Sequence, residues 1–104
     1  PFAVPKKYWY LYDKNNLPLA SSPALPESSP IMSLNSMYEL RGYDGFKHLV
    51  HPTTSTISED TARILKQGYY ASVSYIDAQV ERVIQHLKDL NLYDNTIIVI
   101  CFWE

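Results

Sequence analysis

The sequence predicts an α/β chain in which one long amphipathic helix leads into one buried apolar strand. Apolar residues recur every three or four positions between residues 65 and 90, which is the period of a helix face packed on a core. Residues 97 to 102 are all apolar, as is typical of strands buried on both faces of a parallel sheet. The N-terminal half has neither pattern and is predicted to be extended.

Residues 1 to 55 are predicted to form a loop-rich strap. The first 13 residues carry a dense aromatic group, Phe2, Tyr8, Trp9, Tyr10 and Tyr12. We expect these side chains to anchor a surface segment, or else to line a pocket, and Pro5 favours a helical turn directly after it. Four prolines between residues 18 and 30 prevent a regular hydrogen-bond ladder there. A strap across a larger protein explains such a long irregular segment.

Residues 37 to 55 are predicted to form little regular structure, because Gly42, Gly45 and Pro52 interrupt them. Glu39 and Arg41 are expected to pair with each other or with a neighbour outside this chain. His48 and His51 lie three residues apart, but no third ligand is near in sequence. A metal site is therefore not predicted at these histidines.

The long helix is predicted over residues 56–91. Thr56 followed by Glu59 matches a capping box, and a polar face that includes Gln67 lies opposite the apolar one. Gly68 is unfavourable inside a helix, so we expect another backbone to approach closely there. The turn "NLYDNT" then leads to the core strand, predicted over residues 96–102.

The composition excludes several classes of protein. Nine Lys and Arg stand against eleven Asp and Glu, so no basic surface for nucleic acid is predicted. No apolar run is long enough to span a membrane, and a single cysteine excludes an internal disulfide. The sequence shows no signal peptide and does not begin with Met. The missing initial Met and the C-terminal residues Trp103 and Glu104 favour a piece of a longer protein, read from a truncated or frameshifted gene.

Within this frame, the string "GYYASVSYIDAQVERVIQHLKDLNLYDNTIIVI" resembles the helix and strand that precede the metal-binding turn of type I sulfatases. The head "PFAVPKKYWYLYD" and the later "ELRGY" are similar to the iduronate-2-sulfatase-like branch of that family. The resemblance covers nearly the whole chain and implies one partial sulfatase domain, a piece of an α/β fold similar to alkaline phosphatase.

The resemblance also implies a chemistry, the hydrolysis of sulfate esters on sulfated sugars. The family uses a formylglycine made from a Cys-x-Pro-x-Arg motif and a calcium ion that neutralises the sulfate. Cys101 is not in such a motif, and Trp103 and Glu104 stand where the family has its calcium-binding Asp and the His after it. We therefore expect no catalytic or metal-ligating residue in this chain, and no activity from it alone.

Lys6 is the one residue that the resemblance places near substrate, although a solvated lysine is the simpler interpretation. Asp77 and His86 are expected to lie on the helix surface, as is Glu81, where the family has Gly. The resemblance implies a periplasmic, extracellular or lysosomal location. Two alternatives stay open: a phosphodiesterase or phosphatase relative of the same superfamily, and a helical interaction module that uses the apolar face of residues 65–90.

Overall fold

The computed structural model describes residues 3–23 and 27–101 of the chain. It has three α-helices, α1 (Lys6–Trp9), α2 (Tyr38–Gly42) and α3 (Glu59–Asp89). Single 3-10 turns lie at Lys14–Asn16, Ile31–Ser33, Asp44–Phe46 and Tyr93–Asn95. The helix α3 is by far the longest element, and the other described segments lie along it or extend from it.

The first turn of α3 is capped by Ser58, whose Oγ accepts a hydrogen bond from the backbone N–H of Thr61 at 3.2 Å. Glu59 and Asp60 follow in the first turn, where the helix dipole favours negative charge. The predicted capping box from Thr56 is therefore wrong, because the chain becomes helical two residues too late for the Thr56 hydroxyl to cap it. At the other end the chain leaves the helix through Asn91, which has a left-handed φ of 57°.

The N-terminal segment runs antiparallel along the first half of α3. Tyr8 meets Tyr75 with the ring centroids 5.3 Å apart, and Tyr12 meets Tyr70 at 5.4 Å, both edge to face. Further along the segment, the Lys14 ammonium pairs with Asp60 near the start of the helix. Tyr8 and Tyr12 thus anchor the segment, whereas Tyr10 is exposed and Phe2 lies outside the described residues. The helical turn predicted after Pro5 is α1.

The described residues form only a small core. Leu17 and Ala71 are the buried apolar residues among them, 8% and 0% exposed. The radius of gyration is 18.0 Å, against about 13 Å for a compact domain of this length. The described part of the chain is therefore a long helix with one segment bound along it, and much of its apolar surface remains open.

The predicted core strand is the main error of the sequence analysis. Residues 3–23 and 27–101 contain no strand, and residues 96–101 are irregular and exposed, with Ile97 92% exposed. A strand needs a neighbouring strand for its backbone N–H and C=O groups, and none of the described residues makes a backbone hydrogen bond with residues 97–101. The α/β class is thus wrong for the chain as it stands, and Cys101 is exposed rather than buried. Phe102, the last residue of that predicted strand, lies outside the described residues.

Candidate functional site

A polar clasp fixes the N-terminal segment to α3 through Gln67. This side chain is only 6% exposed, and its Nε2 donates to the carbonyl oxygens of Trp9 at 3.1 Å and Tyr12 at 2.6 Å. Both N–H bonds of the amide are therefore used, as a buried amide requires. The polar face of the helix, which was predicted to include Gln67, is therefore buried at this position.

The clasp continues one turn further along α3. The hydroxyl of Tyr12 lies 2.7 Å from Oγ of Ser74, and the same tyrosine packs edge to face on Tyr70. Residues four apart share one helix face, so Tyr70 and Ser74 hold opposite ends of one tyrosine side chain. An aromatic pair of this geometry contributes about 0.5–1.5 kcal/mol beyond its buried area.

Gly68 lies where the Trp9 ring crosses the helix. A Cβ built on Gly68 is 3.4 Å from a ring carbon of Trp9. The expected close approach at this glycine therefore exists, but it is made by an aromatic side chain and not by a second backbone. Together with Ala71, which is fully buried, Gly68 keeps this stretch of the helix flat enough to accept the segment.

A second feature is an open pocket of about 590 Å³ at α2 and the turns after it. Arg41 lies in its wall and is half-buried. The Nε of Arg41 is buried and has no hydrogen-bond partner among the described residues. Lys47 also lines the pocket, and its ammonium pairs with the exposed carboxylate of Asp44.

The carboxylate of Glu39 lines the same pocket. It accepts a hydrogen bond of 2.8 Å from the hydroxyl of Tyr43. This hydrogen bond is the largest of the causes that lower the pKa of Glu39, because it stabilises the ionised form. Glu39 is therefore negatively charged at neutral pH, and the pocket carries two cationic side chains and one anionic one.

An apolar groove of about 730 Å³ separates the α2 region from α3. Its wall on the helix includes Leu65 and Tyr69, and its opposite wall includes Met37 and Phe46. The ring of Trp9 also lines this groove. The second half of α3 has no such cover, and Val83 is 64% exposed there.

The residues singled out from the sequence do not meet in one place. Lys6 is exposed, with its Nζ 5.4 Å from the centre of the Tyr10 ring. Asp77 and His86 are exposed on α3, and His51 has its Nδ1 2.8 Å from the hydroxyl oxygen of Thr53. Within residues 3–23 and 27–101, no group of three or more His, Cys, Asp or Glu residues is arranged to hold a metal ion.

Sequence reasoning missed both Gln67 and the pocket around Arg41. For Gln67 the sequence contained a signal. Gly68 and Ala71 are small residues close to it, so this face of the helix is flat enough for a second segment to pack there. The two N–H groups of the Gln67 amide can then donate to the backbone of that segment. For Arg41 no signal was present, because its unpartnered Nε follows from the fold of residues 38–49 and not from any spacing. No helix in the described part of the chain is both long and apolar enough to cross a membrane.

Comparison with known proteins gives two relatives. The chain is 39% identical to mouse iduronate 2-sulfatase over 99 residues and 36% identical to the human iduronate 2-sulfatase over the same length. In both cases the alignment covers 94% of this chain and 18% of the relative. No family model matches the chain, and no solved structure matches it. The resemblance predicted from the sequence is thereby confirmed: the chain is similar to iduronate 2-sulfatase and spans about a fifth of the length of these relatives.

Proposed function

We propose that this chain acts as part of a sulfuric ester hydrolase whose substrate is a sulfated carbohydrate. The observation that carries the proposal is the 39% identity to mouse iduronate 2-sulfatase over 94% of the chain. That relative is named for removing a sulfate group from iduronate, an acidic sugar. Lysosomal or secreted placement belongs to the same proposal.

The contribution of the described residues to such an enzyme is architectural. The clasp at Gln67 and the aromatic pairs of Tyr8 and Tyr12 hold the N-terminal segment on α3. These contacts fix the direction in which the N-terminal segment approaches α3. They also fix the direction in which the chain continues from α3 after Asn91. A catalytic site built from several loops depends on such fixed supports.

The groups that the sulfatase resemblance implies, formylglycine and calcium, do not fit this chain's own residues. Its single cysteine, Cys101, is not part of a Cys-x-Pro-x-Arg sequence. The described residues bring together no group of three acidic, histidine or cysteine side chains. No catalytic step is therefore assigned to the described residues of this chain.

A segment exchange tests the proposal. The matched 99-residue segment of mouse iduronate 2-sulfatase is replaced by the corresponding residues of this chain, the chimaera is secreted from mammalian cells, and hydrolysis of a fluorogenic iduronide 2-sulfate is measured. We expect a folded chimaera with measurable sulfatase activity. A chimaera that is secreted and resists protease as the parent does, yet releases no sulfate, would refute the proposal.

Two controls make the result specific. The same chimaera with Ala71→Trp, which overfills a fully buried position, is expected to lose secretion. Bis(4-nitrophenyl) phosphate is assayed in parallel, because a preference for this diester over the sulfate would favour the phosphodiesterase alternative instead.

A further inference from the structure

We draw no further inference here: the strongest candidate, the apolar stripe of Val73, Ile76, Val83 and Leu90 along α3, is more than half exposed at each of these side chains, but nothing among the described residues shows what covers it.

Discussion

The clasp at Gln67 gives the sharpest test of how the N-terminal segment is held on α3. Replacing Gln67 by Met keeps the length of the side chain and removes both hydrogen bonds to the carbonyls of Trp9 and Tyr12. Trp9 O still accepts from the backbone N–H of Tyr12 at 3.4 Å, so the loss falls mainly on the carbonyl of Tyr12. A buried acceptor left without a donor costs about 1–3 kcal/mol. The ratio of docked to undocked segment should fall by about 5- to 150-fold.

Hydrogen exchange measures this ratio directly, because the amide of Leu11, which donates to Tyr8 O at 3.2 Å, should exchange faster by the same factor. Fluorescence of Trp9 in a Trp103→Phe background gives a second readout, with red-shifted emission expected when the ring leaves Gly68. Gln85→Met is the matched control. Gln85 is also a glutamine of α3, but it is exposed and donates to Asp89. Equal exchange rates in the two variants would refute the role assigned to Gln67.

Three further predictions concern other positions. Gly68→Ala should leave the segment docked and stabilise α3 by up to about 1 kcal/mol, measured by thermal unfolding, whereas Gly68→Leu should expel the ring that covers it. Ser58→Ala should lower the stability of the helix by about 1 kcal/mol, and Thr56→Ala should leave it unchanged. A loss of stability in Thr56→Ala and none in Ser58→Ala would instead support the capping box predicted at Thr56. Tyr43→Phe should raise the pKa of Glu39, followed by carboxyl carbon NMR. The Tyr43 hydrogen bond lowers that pKa, so its contribution to stability is present above the unfolded pKa and is lost as the pH falls through the folded one.

The sequence was informative wherever local pattern decides structure. The spacing of apolar residues predicted one helix over residues 56–91, and the structure has it at Glu59–Asp89. The aromatic group before Lys14 was predicted to anchor its segment, and Tyr8 and Tyr12 do so. Both features depend on residues within one turn or on side chains too large to leave in water.

The sequence misled where structure depends on distant partners. An apolar run from Ile97 onward resembles a buried strand, but backbone hydrogen bonds must come from another strand, and no described segment supplies one. Helical period placed Gln67 on the polar face, yet its amide is buried because two carbonyls of the N-terminal segment lie opposite it. In the same way, nothing near Arg41 in sequence shows that its Nε has no hydrogen-bond partner among the described residues.

The antiparallel clasp also sets an order of events during synthesis. Tyr12 and Ser74, which meet through their hydroxyls, are 62 positions apart. At about 5 to 20 residues per second, the ribosome adds the second of these residues roughly 3 to 12 seconds after the first. Until Ser74 has been added, Tyr12 lacks the helix face that later covers it. The aromatic side chains of the N-terminal segment are therefore without their partners on α3 until the first half of that helix has been made, and exposed apolar surface of this kind favours misassociation.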